Sequence, residues 1–443
     1  MRATDLRSTP WWLPGLLGAA LFGCISEPST GASAAPSATP KPTAAGAEPP
    51  PAPPPPAPAF VGWTPPSAAA LDLTCPVGAV AFGSIQAGAR GCRDSEGRNH
   101  GPWASYIPGA KSSDELLALG TFASGLETGT FRFWHESGDS AATGDYTAGK
   151  RSGVWIVFFA KGALRSSETY LDGALDGPAT TYFPGGKAES QGAWQAGKRH
   201  GKWSTWLPCG GPGSVGIYHQ GGLAGAWQRW HPSGEFAEVG AYAAGQRTGK
   251  WTLFHANGEK EAEGEFVHNA QSGPWTTWLD DGRKNTEGTF VQGLAQGMYR
   301  KYSYDNGLPL YNEGPLLDSL AHGVWREWTL DAKHKMSQVL FVYGSASGLF
   351  EGWFVDGKPS VVGHFKKGTR DKLWTWWYPN GVKETEGAYH GGLRDGVWGY
   401  WWPDGAPQSK GTYAGGKKVL LWQYWDQKGK ETREKFDAWG NKE

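Results

Sequence analysis

The sequence predicts an all-β fold: an elongated array of about 13 tandem β-hairpin repeats, paired into one long twisted antiparallel sheet. Three observations carry this reading. Glycines recur at Gly129, Gly153, Gly177, Gly201, Gly225, Gly249, Gly273 and Gly297, each 24 residues after the last. Aromatic residues recur at fixed offsets from those glycines, and turn-forming residues recur between the aromatics. The interval lengthens to 26 at Gly323 and 25 at Gly348, then returns to 24 through Lys372, Gly396 and Leu420.

With the opening residue as position 1, each repeat has the same internal order. Position 3 is aromatic in almost every unit, as in Phe131, Trp155, Trp251, Trp374 and Trp398, with Ala179 as an exception. Position 6 is aromatic in every unit, from Trp134, Phe158 and Tyr182 to Trp401 and Trp425. Dense aromatics over a short run read as a strand. A turn follows, seen best in His231-Pro-Ser-Gly234, Tyr378-Pro-Asn-Gly381 and Trp402-Pro-Asp-Gly405. Proline presets φ there, and glycine takes a positive φ, which suits a type I turn with a glycine bulge. A second strand runs to an aromatic at position 18, such as Tyr146, Phe266 or Tyr413. Segments such as Gly149-Lys-Arg-Ser-Gly153 and Gly392-Leu-Arg-Asp-Gly396 then read as the turn into the next hairpin.

Residues three apart on a flat strand face opposite ways. Positions 3 and 6 therefore predict an aromatic row on each face: one as core, the other packed under curled sheet or left as a recognition strip. Position 7 varies more than its neighbours. Its residues His231, His255, Phe354, Tyr378 and Trp402 form the candidate binding strip.

Composition narrows the function classes. The 443-residue chain carries 42 Lys plus Arg and 42 Asp plus Glu, a formal net charge of zero. It thus lacks the basic footprint of a nucleic-acid binder, and no nucleic-acid partner is expected. No nucleophile elbow, phosphate loop or zincin motif is present, so the chain reads as non-enzymatic and without a cofactor. His231 and His255 occupy adjacent repeats, two strands or about 9–10 Å apart, too far to share a metal ion. Asp280, Asp281 and Asp305 read as solvated turn acids, and Lys150-Arg151 and Lys198-Arg199 as solvated turn bases.

The N-terminal segment reads as targeting sequence. Arg2 and Arg7 precede an apolar run from Trp11 to Phe22, too short to span a membrane and suited to a secretory signal. Its end, Leu21-Phe22-Gly23-Cys24, resembles the bacterial lipobox, which implies lipidation of Cys24, a signal peptide over 1–24 and a membrane partner through the lipid. By the same resemblance, Ile25 after that cysteine favours the outer membrane of the cell envelope. Residues 25–70 are rich in Pro, Ala, Ser and Thr and read as a disordered tether. At about 3 Å per residue it would reach on the order of 100 Å. Residues 71–100 read as an N-terminal cap ahead of the array at 101–443. In an exported chain Cys75 and Cys92 are the natural disulfide pair. Cys209 is left in a turn, at the position held elsewhere by Ser233, Asn257, Asn380 and Asp404.

The repeat resembles the MORN repeat, specifically its bacterial variant: G-x-W-x-x-[WYF], a turn closing on glycine, then x-G-x-[YF]-x-x-G. Gly249-Lys-Trp-Thr-Leu-Phe-His-Ala-Asn-Gly258 followed by Glu263-Gly-Glu-Phe266 carries the match. The resemblance extends over roughly residues 92–443. It implies a β-hairpin scaffold whose partner is another protein, and an antitoxin-like activity against a partner toxin is an alternative it also implies. The residues themselves leave a glycan as an alternative partner, stacked on an exposed aromatic strip.

Overall fold

The structure, a computed structural model, describes residues 51–52 and 73–443 apart from 113 and 305–308. Cys24 and most of the segment assigned to signal and tether lie outside the described residues.

Among the described residues there are 31 strands and no helix, and all the strands belong to one antiparallel sheet. With one broken strand excepted, each strand pairs with its successor in the chain, from Val80–Ser84 on Ala89–Arg93 to Lys417–Trp425 on Glu431–Phe436. Leu320–Ala321 and Gly323–Thr329 are two pieces of one strand, broken at His322, and share the partner Leu310–Leu317. Sequential pairing keeps every strand contact local, which is why a 24-residue unit repeats without a crossover.

The unit around Gly249 shows how sequence sets geometry. Its strands are Gln246–Phe254 and Lys260–Val267. Between them, His255 N–H donates to Glu259 O at 2.8 Å and Gly258 N–H to His255 O at 2.9 Å, with Gly258 at φ +87°. That is a type I turn closed by a glycine bulge.

The other connection differs from the sequence reading. In Gly245-Gln-Arg-Thr-Gly249 the turn is only Ala244-Gly245, with φ +49° and +78°. This is the type I′ two-residue turn, whose twist matches that of the paired strands. Gln246, Arg247 and Thr248 are already strand, pairing with Ala243, Tyr242 and Ala241. The opening glycine sits in a bulge instead. Val239 pairs with Thr252 and Ala241 with Thr248, so Gly240 alone faces Gly249, Lys250 and Trp251. Gly249 takes φ +64° to absorb the extra residues. Lys372 and Leu420 hold the same place at φ +61° without being glycine.

Cys75 and Cys92 form a disulfide with Cα atoms 5.5 Å apart, at the first strands of the sheet. Cys209 is exposed and belongs to no disulfide.

Candidate binding face

Positions 3, 5 and 18 share one face. On it, most position-3 tryptophans lie flat on the position-16 glycine of the preceding repeat. Gly144, Gly192, Gly240, Gly264, Gly363, Gly387 and Gly411 each carry such a ring, and a β-carbon on any of them would overlap it. The indole N–H then reaches the next backbone carbonyl: Trp155 to Asp145, Trp203 to Ala193, Trp251 to Ala241 and Trp398 to Ala388, at 2.9–3.2 Å. Position-18 rings meet the tryptophans edge to face, as Tyr389 meets Trp398 at 5.0 Å. Such pairs add to the area they bury.

The recurring basic residues close this face. Arg151, Arg199, Arg247 and Arg394 lie over Trp155, Trp203, Trp251 and Trp398 at 4.3–4.8 Å. Arg394 also donates to the Tyr413 hydroxyl at 2.9 Å. The reading of Arg151 and Arg199 as solvated turn bases is therefore corrected: each is a strand residue whose guanidinium roofs an indole. A single-layer sheet has no second layer to cover its rings, and glycine beneath with arginine above does that work. Trp251, Trp374, Trp398 and Trp422 are at most 1% exposed.

Positions 2, 4, 6, 12, 15 and 17 share the opposite face, as their contacts show. Glu263, at position 15, accepts from Lys260 at 2.8 Å, Lys250 at 3.1 Å and Thr252 at 3.3 Å. This face changes character along the chain. From Tyr106 through Trp134, Phe158, Tyr182, Trp206 and Trp230 to Phe254, the position-6 rings are no more than 9% exposed. From Trp278 through Tyr302, Trp328, Trp353, Trp377 and Trp401 to Trp425 they are half-buried. The residue paired with the position-6 ring is Leu164, Ala188 or Phe236 in earlier repeats and Lys260, Lys284, Lys335 or Lys383 in later ones, with Pro359 and Pro407 in the same place beside Trp353 and Trp401. The Lys335 ammonium stands 4.2 Å from the centre of the Trp353 ring. Lys260, Lys284 and Lys383 are each paired with a carboxylate three residues on, so they add little net charge. Trp328 Nε1 is buried without a hydrogen-bond partner.

One contact shows what this face accepts. Trp206 Nε1 donates to the backbone carbonyl of Pro51 at 3.4 Å, so a residue of the proline-rich stretch rests on the position-6 row.

Beside the row runs a second feature that the sequence reading did not single out. Position 2 is aliphatic and open in six successive repeats, at Met298, Val324, Leu349, Leu373, Val397 and Leu421, each 38–58% exposed. In register beside them lie Pro315, Leu340, His364, Ala388 and Thr412. Repeats are two strands apart, so the stripe runs about 48 Å along the sheet. Aligning the repeats on their opening residue would have exposed this column.

The candidate strip at position 7 has a further set of contacts. His231, His255, Phe354, Tyr378 and Trp402 are all half-buried. His231 Nε2 lies 2.8 Å from Phe254 O, His255 Nε2 lies 3.0 Å from Trp278 O, and the Tyr378 hydroxyl donates to Trp401 O at 2.9 Å. Each reaches the carbonyl of the next repeat's position 6, so these three side chains tie consecutive hairpins together. Trp402 Nε1 is buried without a partner.

Titration behaviour fits a structural lattice. Burial and the hydrogen bond to Glu287, 2.6 Å, push the Tyr302 phenol up to about 12, so it stays a donor at neutral pH. Burial works against the Glu287 carboxylate, but the bonds from Lys284 and Tyr302 outweigh it and hold its pKa below the ordinary value.

No curated protein matches the chain. Among solved structures it is similar to the crystal structure of TcdB2-TccC3, at 13% identity over 82% of this chain and 25% of that one, with a TM-score of 0.14. It is likewise similar to TcdB2-TccC3 without its hypervariable C-terminal region, at 11% identity over 82% of this chain and 23% of that one, again with a TM-score of 0.14. The chain thus spans about a quarter of the length of those chains, and a TM-score of 0.14 does not amount to a shared fold. Residues 247–268, the stretch from Arg247 through the Gly249 bulge and both strands of the hairpin, match the MORN repeat variant, which supports a MORN-repeat protein.

Proposed function

We propose that this chain is a non-enzymatic repeat scaffold, held in the cell envelope by a lipid on Cys24, that binds another protein through the C-terminal half of its position-2 and position-6 face. The observation that carries the reading is the aliphatic stripe from Met298 to Leu421 beside the half-buried tryptophan row. Elsewhere the rings are packed, roofed by arginine or bonded to the next repeat; here six open aliphatic side chains stand in line. A contiguous exposed apolar strip of this length is unusual unless something covers it. Aliphatic side chains also favour a protein over a glycan, because sugars gain from rings and polar donors but little from open leucine and valine.

Crosslinking and pull-down of the mature protein from intact cells tests the reading. The expected result is a protein partner recovered with the wild-type chain and from the membrane fraction. Recovery of the chain only from the cytoplasm, with Cys24 unmodified, would sink the envelope part. Binding to peptidoglycan or a glycan array, with no protein crosslinked, would replace the protein partner with a sugar.

A further inference from the structure

The geometry points to a proline-rich segment in the polyproline II conformation as the ligand of the half-buried position-6 row, lying across the strands and advancing three residues for each repeat. This inference rests on the protein-binding reading above and names the chemistry of the partner.

Three observations carry it. The first is spacing. Position-6 rings of successive repeats are two strands apart, about 9.6 Å. A polyproline II helix turns once in three residues and rises about 3.1 Å per residue, about 9.3 Å per turn. A helix of this kind laid along the row presents an equivalent edge to each ring in succession, and the mismatch over four repeats stays near 1 Å. An extended β-strand on the same path would drift out of step within two repeats, since its side chains recur at about 6.7 Å.

The second is the contact already present in the molecule. Trp206 donates its indole N–H to the Pro51 carbonyl at 3.4 Å. Polyproline II backbone has no internal hydrogen bonds, so its carbonyls are free to accept, and aromatic-lined grooves commonly recognise it. Trp328, Trp353, Trp377, Trp401 and Trp425 place the same side chain at the same position of later repeats.

The third is charge. Lys284 and Lys383 beside the row are neutralised by Glu287 and Glu386 at 2.5 and 2.8 Å. Lys335 bonds to the neutral Gln338 at 3.0 Å and keeps its charge over the Trp353 ring. With that exception the surface offers rings beside neutralised lysines, which suits a proline-dense segment more than a strongly acidic or basic peptide.

The test uses the full mature chain and a synthetic peptide of this chain's own residues 48–59 (Glu48 to Ala59), with a Gly/Ser peptide of equal length as control. Saturable binding of the proline-rich peptide alone is expected, read by calorimetry and by shifts of indole N–H resonances in NMR spectra. Trp353→Ala and Trp377→Ala should each weaken it about tenfold or more, as loss of a central aromatic anchor does. Trp377→Phe should recover part of the loss by restoring the ring without its donor. No saturable binding above the Gly/Ser control, or binding unchanged by both alanine replacements, would overturn the inference. If a replacement unfolds the chain, the indole shifts of the unaltered protein decide: movement of position-6 signals upholds it, and movement of none refutes it. A protein partner recovered from cells by a chain that ignores the peptide overturns this inference and leaves the scaffold reading standing. Peptide binding with no cellular protein partner does the reverse.

Discussion

The indole of Trp398 lies flat on the backbone of Gly387, and its Nε1 donates to the carbonyl of the next residue, Ala388, at 3.0 Å. Gly387 pairs in register with Trp374 on one neighbouring strand and faces Trp398 on the other. This glycine has no unusual φ; it is needed because the ring takes the space of a side chain. Gly387→Ala should therefore destabilise the sheet by about 1–3 kcal/mol, the usual range for overpacking a fixed core. Gly211→Ala, at an ordinary φ with nothing near its β-carbon, should be close to neutral. Denaturant midpoints of the two variants check this. In a Trp398→Leu background the Gly387→Ala cost should shrink, because the overlapping ring is gone.

Lys372 and Leu420 stand where other repeats have the bulge glycine, and both are held at φ +61°. A side chain in that region costs roughly 1–2 kcal/mol, while glycine gives back roughly 0.5–1 kcal/mol in unfolded-state entropy. Lys372→Gly is thus expected to stabilise the array, by roughly 0.5–1 kcal/mol after both effects. A lower denaturation midpoint for Lys372→Gly would show that the lysine stem makes up for its strained backbone.

These two sites show how much of the architecture could be read in the chain and where reading stopped. The period, the strand order within a repeat and the three-residue turn follow from local chemistry: Pro379-Asn380-Gly381 admits few other conformations. Most of the two-residue turns do not announce themselves, because their first residue is Ala148, Ala196, Gln220 or Ala244, none of which signals a positive φ; Asp172-Gly173 is one that does. With the turn so short, Lys150, Arg151 and Ser152 fall into the strand, and the role of Arg151 changes from surface charge to ring cover. The contacts of position 7 were hidden for another reason. His255 reaches Trp278 O, 23 residues on, and only the pairing register of two hairpins brings them together. Nor does residue type alone separate the buried Trp206 from the half-buried Trp353; the difference lies in what covers each.

Glu327 makes the chain's pH response partly unusual. It lies on Gly323–Thr329, and burial raises its pKa above the ordinary glutamate value, against hydrogen bonds from Ser337 and Asn312 that lower it. A carboxyl whose pKa is raised in the fold binds more protons folded than unfolded. Its contribution is then favourable at low pH and is lost as pH rises from the ordinary value through the folded one. Glu287, with its lowered pKa, works in the opposite sense and loses its contribution on acidification. Glu327→Gln keeps an acceptor for Ser337 and removes the buried charge. It should raise the melting temperature at neutral pH, with the gain shrinking as the buffer is made acidic. Thermal melts of both proteins across pH 4–8 check this; an equal shift at every pH would mean that the carboxyl never changes ionisation there.

Leu373 and Val397 occupy the same place in adjacent repeats, 55% and 58% exposed, each in register beside a small residue, Ala388 or Thr412. Neither is buried, so replacing both with lysine should change stability by no more than about 0.5 kcal/mol each. If the stripe is where a partner docks, the pair sits at its middle, and two ammonium groups would have to be desolvated on binding. Leu373→Lys with Val397→Lys should then abolish crosslinking to a protein partner while leaving the far-ultraviolet spectrum and melting curve in place. Lys202→Leu with Lys250→Leu, at the same position of the N-terminal repeats, should not restore it, because the position-6 rings of those repeats, Trp206 and Phe254, are packed away. Partner recovery undiminished by the lysine pair would move the docking surface off this face, to the position-7 edge or to the turns that frame it.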